Sequence, residues 1–179
     1  MPQTTLPLYT LNINETGGQP KTITFPDDAW GISATITQAI LHIEHNLQKT
    51  QLAAGDAIFT IYFWKDGAWV KAGDVRGWAV SVDDWKKSEV DVTSLLTGLT
   101  TLKFYGTLEL PHIFLYCPVW GTCKAYLVCD YETGDFTGTG TEGTFGQGEI
   151  GAIFNMMIEF MYLMMFMSLF SALIGMIIG

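Results

Sequence analysis

The sequence predicts an all-β protein: an antiparallel β-sandwich, jelly-roll-like, followed by a single C-terminal transmembrane helix. Three observations predict it. Eight or nine short β-type runs lie between residues 21 and 132, split by turn residues, with no long amphipathic helix among them. Aromatic residues make up 13% of the chain and threonine recurs through these runs, as suits strands. The last stretch, Ile150 to Gly179, is apolar but for Glu159, and Phe160 to Ile178 carries no charge over nineteen residues. At about 1.5 Å of rise per residue those nineteen span roughly 28 Å, close to the hydrocarbon thickness of a bilayer.

The elements follow in order. Residues 1–20 are polar and extended in character, closed by Gly17-Gly18 and Pro20, and are expected to form an N-terminal arm. Residues 21–132 are the expected β-sandwich domain. Thr22 to Phe25 alternates, and Ile32 to His45 is a long run carrying Ile36, Ile40 and Ile43. Ala57 to Trp64 is strongly β-forming. Asp66-Gly67 then sits between aromatic runs, the strongest hairpin signal in the chain. Ala68 to Ala72, Gly77 to Val82, Glu89 to Val92, Leu99 to Leu108, His112 to Cys117 and Thr122 to Cys129 complete the runs. Residues 133–149 are a Gly/Thr-rich linker, with five glycines between Phe136 and Gly148. Such a segment is flexible as an isolated chain, or packs as an ordered strap in an assembly. Residues 150–179 are the expected membrane helix.

Val90-Asp91-Val92-Thr93-Ser94-Leu95-Leu96-Thr97-Gly98-Leu99-Thr100-Thr101-Leu102 resembles a D-V-T-x-L-L-x-x-G-x-N-T-L segment of sugar-binding jelly rolls, with Thr100 where those domains carry Asn. The resemblance covers thirteen residues and implies a fold, with no sugar-binding residue carried over. It implies a strand entering a short turn, with Thr93 capping it and Gly98 in a backbone conformation that only glycine adopts cheaply.

Composition excludes several classes. The net charge is −9, all nine Lys and Arg lie between Lys21 and Lys124, and six acids and no base follow. A nucleic-acid surface needs clustered bases, so no nucleic-acid partner is expected. The same absence speaks against docking on anionic headgroups. Met1 to Pro7 has neither a basic nor an apolar region, so no signal peptide is predicted, and the domain is expected on the cytosolic side of the membrane its tail enters. No nucleophile elbow, P-loop or HExxH appears, and no catalytic residue, metal ligand or cofactor is predicted.

Candidate sites are few. His42, Glu44 and His45 cluster, but on a strand His42 and Glu44 share one face while His45 points to the other. Asp27-Asp28 and Asp83-Asp84 sit beside Trp30 and Trp85 and read first as solvated loops, with calcium or sugar binding as the alternative; Trp64, Trp69, Trp78 and Trp120 are further rings for sugar stacking, though most of the six tryptophans are expected in the core. Cys117 and Cys123 can close a disulfide loop with Cys129 left free, or all three are buried thiols. Asn14-Glu15-Thr16 is a glycosylation sequon. In the tail, at about 100° per residue, Asn155, Glu159 and Tyr162 fall on one polar patch. Ser168, Ser171, Ala172, Gly175 and Gly179 offer small i,i+4 spacings for helix–helix contact.

This plan resembles the membrane-anchored jelly-roll capsid or spike proteins of internal-membrane viruses. It implies a non-enzymatic structural protein in many copies, at a membrane or virion surface, with membrane lipid, itself and other coat proteins as partners. The alternatives are a membrane-tethered carbohydrate-binding or adhesion module, and a filament subunit whose apolar helix forms the polymer core.

Overall fold

Apolar residues at every second position select the strands, because successive side chains of a strand point to opposite faces. In Ala57–Lys65 the inward set is Ala57, Phe59, Ile61 and Phe63, all fully buried. In Thr101–Leu110 it is Leu102, Phe104, Gly106, Leu108 and Leu110. The computed structural model describes residues 1–113 and 117–145, together with Met164. Its strands are β1 (Gln3–Thr16), β2 (Lys21–Thr24), β3 (Asp28–Ile32), β4 (Ile36–His45), β5 (Gln48–Lys49), β6 (Ala57–Lys65), β7 (Ala68–Gly77), β8 (Lys86–Asp91), β9 (Thr101–Leu110), β10 (Pro118–Tyr131), β11 (Phe136–Thr137) and β12 (Thr141–Phe145). One short helix, α1 (Thr93–Leu96), joins β8 to β9.

Two sheets face each other. One runs β12-β1-β10-β4-β8 with β5 on β10; the other runs β11-β3-β9-β6-β7 with β2 on β9. Setting aside the short strands β2, β5, β11 and β12, the pairs β6·β7, β4·β8, β3·β9 and β1·β10 nest one outside the other, all antiparallel. The chain is one long ribbon whose tip is the Asp66-Gly67 turn, rolled into two sheets. That is the strand order of a jelly roll. Asp66 (φ 52°) and Gly67 (φ 85°) supply the two positive φ angles that a tight hairpin of this hand requires.

The core lies between the sheets. Tyr9, Phe25, Phe59 and Phe104 form its aromatic centre, with Tyr9–Phe104 centroids 5.4 Å apart edge to face and Phe25–Phe59 5.9 Å apart. Each such pair adds about 0.5–1.5 kcal/mol beyond the area it buries. Gly106 leaves room for this cluster: a Cβ there would stand 3.2 Å from Phe25 and 3.3 Å from Tyr9.

Residues 3–16 are not an arm. They form β1, an interior strand of the first sheet, which pairs with β10 from Gln3 opposite Asp130 to Thr16 opposite Pro118. Its buried apolar residues are Leu6 and Leu8, then Tyr9, Leu11 and Ile13. The register shifts between Pro7 and Tyr9, so a bulge at Leu8 turns two successive side chains inward and reverses the alternation. Neither phase of a period-two pattern runs the whole strand.

Residues 133–145 are an ordered strap. β11 pairs with β3, and β12 runs parallel to β1 with Phe145 opposite Ile13. The Phe145 ring packs edge-on against Phe25 at 5.2 Å. The glycines serve close approach. A Cβ at Gly140 would sit 2.5 Å from the Pro7 carbonyl oxygen, and at Gly134, with φ +103°, 2.3 Å from that of Ser33.

The expected run His112–Cys117 forms no strand among its described residues, where Ile113 makes only an isolated bridge to Ala53, and 114–116 lie outside them. The run Ala68–Ala72 extends to Gly77 as β7, and the expected run Gly77–Val82 is loop beyond Gly77, within the connection 78–85. The D-V-T segment makes its turn through α1, and Gly98 has φ +80° as expected. Thr93 does not cap the helix; Val92 is the N-cap. The Thr93 hydroxyl instead donates to Asp91 and accepts the Ala39 N–H at 2.9 Å, tying the turn to β4. Among the described residues no helix is long and apolar enough to cross a membrane, and residues 150–179 lie outside them.

Because β1 is core, Leu11→Ala is expected to lower unfolding free energy by about 2–5 kcal/mol in a denaturant titration. Deleting residues 1–16 should leave a chain without cooperative unfolding. A solvated arm would show neither effect.

Candidate functional site: a loop-bearing end and an exposed aromatic face

The rolled ribbon has two ends. One holds the β6–β7 hairpin tip and α1. The other gathers the turn at Gly17–Pro20, the connections 46–56 and 78–85, and the start of β10. Hydrogen bonds knit this second end together. Gly17 donates to the Cys117 carbonyl at 2.7 Å, Ile113 to that of Gly18 at 2.9 Å, and Ala53 bridges Ile113. Trp78 Nε1 donates to Gly55 at 2.8 Å, joining the 78–85 loop to the 46–56 loop. Asn46 is the central tie: its Nδ2 donates to the Val82 carbonyl and its Oδ1 accepts the Thr122 N–H, both at 2.7 Å. Asp84 Oδ2 accepts the Val80 N–H at 2.9 Å, and Lys86 lies 3.0 Å from the same oxygen. The Val80 amide and the Lys86 ammonium hold the Asp84 carboxyl below the usual carboxylate range.

These ties display apolar side chains to water. Val80 is 90% exposed, Leu52 77% and Val82 62%. Burying such a side chain is worth about 1.5–3 kcal/mol, a gain each leaves unrealised in the sandwich alone. Tryptophan gathers at the same end. Trp120 is exposed on β10, Trp78 lies under Lys49 at 5.2 Å, and Trp85 lies under Lys124 at 4.6 Å. β12 points the chain towards this end: Phe145 is opposite Ile13, three residues before β1 finishes at Thr16.

A second feature sits on the outer face of the other sheet, near the hairpin tip. Tyr62 and Tyr105 stack at 4.7 Å with planes 6° apart. Trp69 meets Tyr105 edge-on at 4.7 Å and Trp64 at 5.2 Å. Trp69 and Tyr105 wall an open hollow of about 540 Å³, with Thr24, Phe25, Pro26 and Asp27 as its other lining. Asp27 is exposed there.

The sequence-predicted residues are distributed otherwise. Trp30 is buried, its Nε1 donating to the Pro7 carbonyl at 3.0 Å, and Trp85 is capped by Lys124, so neither is an open stacking ring. His42 stacks on Tyr126 at 4.8 Å and lies 3.3 Å from Glu89, while His45 faces the core. No group of three metal-type ligands occurs among the described residues. Asn14 lies within β1 opposite Trp120, and Thr16 of its sequon is buried, so the sequon is part of a sheet and not of a loop. Cys117, Cys123 and Cys129 are free, buried thiols. Cys117 and Cys123 sit six positions apart along extended chain, roughly 20 Å, where a disulfide needs Cα atoms about 4 to 7 Å apart. Burial raises the Cys123 thiol far above its ordinary value and pushes Cys129 up to about 11. Asn155, Glu159, Tyr162, Ser168, Ser171, Ala172, Gly175 and Gly179 lie outside the described residues.

Sequence reasoning missed the exposed rim. Val80-Ser81-Val82 looks like strand, and alternation cannot tell a strand edge from a displayed loop. The one local signal is Asp83-Asp84, a turn pair directly after it.

No protein-family model matches the chain, and no curated protein matches it. Among solved structures, the chain is similar to a chain in the structure of infectious bursal disease virus Gx strain. The TM-score is 0.43 and the identity 16%, over 73% of this chain and 32% of that one. The chain thus spans 32% of that chain's length.

Two outcomes follow from the geometry. His45 is fully buried, its Nδ1 accepts the Leu47 N–H at 3.3 Å, and burial together with nearby Lys86 lowers its pKa to about 4. The unfolded chain therefore binds the extra proton between about 6.5 and 4. Stability is full above pH 6.5 and declines as pH falls through that window, by roughly 3 kcal/mol in total. Chemical denaturation at pH 7 and pH 4.5 should show the decline, and His45→Leu should flatten it. Thiol reagents at neutral pH should label none of the three cysteines in the native chain and all three once it is unfolded.

Proposed function

We propose that the chain is a membrane-anchored structural subunit that assembles in many copies, as a capsid or spike component of a virion. One observation carries this: a jelly roll whose last strand, β12, runs towards one end of the domain and leads within five residues into the apolar stretch 150–179. Five residues of chain reach at most about 17 Å. The anchor is therefore short-tethered, as suits a domain held upright in a layer. Jelly rolls serve as coat domains and as lectins, so the viral assignment is an argument by fold analogy.

Glu159 and the small-residue stripe of Ser168, Ser171, Ala172, Gly175 and Gly179 support association between copies through the tail. Full-length protein mixed with phosphatidylcholine vesicles should float with them, and detergent-extracted protein should sediment as an oligomer or particle. A detergent monomer with no particle in the native source would overturn the assembly reading. Lipid analysis of the native assembly separates a bilayer anchor from a filament core.

A second reading, a carbohydrate-binding module, is favoured by exposed Trp64 and Trp69 packed with half-buried Tyr105, and by Asp27, which lines one hollow with Trp69 and Tyr105. Stacked rings with an adjacent acceptor suit a sugar's apolar face and hydroxyls. Glycan binding that falls at least tenfold in Trp69→Ala would establish it, and silence across a broad glycan array would remove it.

A further inference from the structure

We propose that the loop-bearing end of the sandwich is itself a lipid-contacting rim: Leu52, Val80 and Val82 enter the interfacial layer of the bilayer that residues 150–179 occupy. The inference rests on the anchored reading above and adds a second, peripheral attachment to it.

Three observations carry it. The first is distribution. Among the described residues of the sandwich, the exposed large apolar side chains fall into two groups besides Met1: Trp64, Trp69 and Val70 near the hairpin tip, and Leu52, Val80, Val82 and Trp120 at the opposite end. The second group lies at the end towards which β12 carries the chain. The second observation is support. Val80 and Val82 are not frayed out of the core. The Asp84 carboxylate and the Asn46 amide hold their backbone at 2.9 and 2.7 Å, and Ala53, next to Leu52, is bridged to Ile113. A loop pinned from below while its apolar side chains stand clear is built to meet an apolar surface.

The third is chemistry. Trp78, Trp85 and Trp120 stand at this same end, and indoles prefer the membrane–water interface. Asp56, Asp83 and Asp84 are there too, against Lys49, Lys86 and Lys124, so the rim has no excess of positive charge. It fits a zwitterionic phospholipid surface by burial of apolar area rather than attraction to anionic headgroups. The tether fixes the geometry, because a start within about 17 Å of Phe145 keeps the rim within reach of the leaflet.

The test uses the full chain in phosphatidylcholine vesicles. An environment-sensitive label is placed at Val80→Cys or Leu52→Cys, with Asp66→Cys at the hairpin tip as control; the native thiols are buried and do not compete. The control lies roughly 26 Å away along β6. A quencher carried on shallow lipid acyl positions should dim the Val80 and Leu52 labels at least threefold more than the Asp66 label, and aqueous iodide should do the reverse. Vesicles with added anionic lipid should change neither result. If the protein floats with the vesicles while all three labels meet iodide equally, the rim is not lipid-bound and the anchor alone stands. Labels shielded from both quenchers would place protein, not lipid, on the rim and equally overturn the inference. Failure to float would instead sink the anchored reading beneath it.

Discussion

The antiparallel pairing of β1 with β10 is the contact on which the rest of the molecule depends. It joins residues near the start of the described chain to residues over a hundred positions later, from Gln3 opposite Asp130 to Thr16 opposite Pro118. As the outermost pair of the rolled ribbon, it closes the first sheet, and its inward side chains meet the second sheet through Tyr9 and Phe104. Loop-closure entropy rises only slowly with separation, so so distant a pair is tolerable once nested pairs have formed inside it. A topology dominated by such contacts folds slowly and leaves strand edges open meanwhile. The strap β11–β12 covers one of those edges: β12 occupies the outer side of β1.

That closure decides where everything else stands. With β12 parallel to β1, β12 runs towards the loop-bearing end and not towards the hairpin tip. The two exposed features of the sandwich are thereby separated. The aromatic face of Tyr62, Trp64, Trp69 and Tyr105 stands near the tip. The apolar loops stand at the end towards which β12 runs. Buried Asn46 matters to the second feature in a way its exposed neighbours do not, since one side chain ties Val82 to Thr122 across two connections. Buried polar groups of this kind fix a single loop geometry because any other would leave them unpaired.

The candidate sites were legible unevenly, for physical reasons. The face assignment of His42 and Glu44 against His45 follows from strand periodicity alone, and the structure keeps it. Trp30 and Trp85 are no open stacking rings, because an acidic neighbour says nothing about burial; Trp30 is fixed by a carbonyl on β1, a strand remote in sequence. The two usable rings, Trp64 and Trp69, lie directly opposite across the hairpin. Their juxtaposition follows from the Asp66-Gly67 turn, but their exposure depends on which face of the sheet the second layer covers. Asn14 was misplaced for the same reason as the rest of β1.

By itself the sequence determined the local features. Alternation and turn chemistry specify strand content, the Asp66-Gly67 tip and the Gly98 turn, and hydropathy marks the thirty residues from Ile150 as a separate apolar segment. These depend on neighbours within a few positions, so a linear reading recovers them. Only the tertiary structure decided that residues 3–16 are core, that the Gly/Thr segment is a strap, and that Leu52, Val80 and Val82 share one end. A bulge at Leu8 breaks the alternation of β1, and the strap's glycines are set by carbonyls on other strands. Both are facts about distant pairs of residues, and a one-dimensional pattern carries no record of which pair meets.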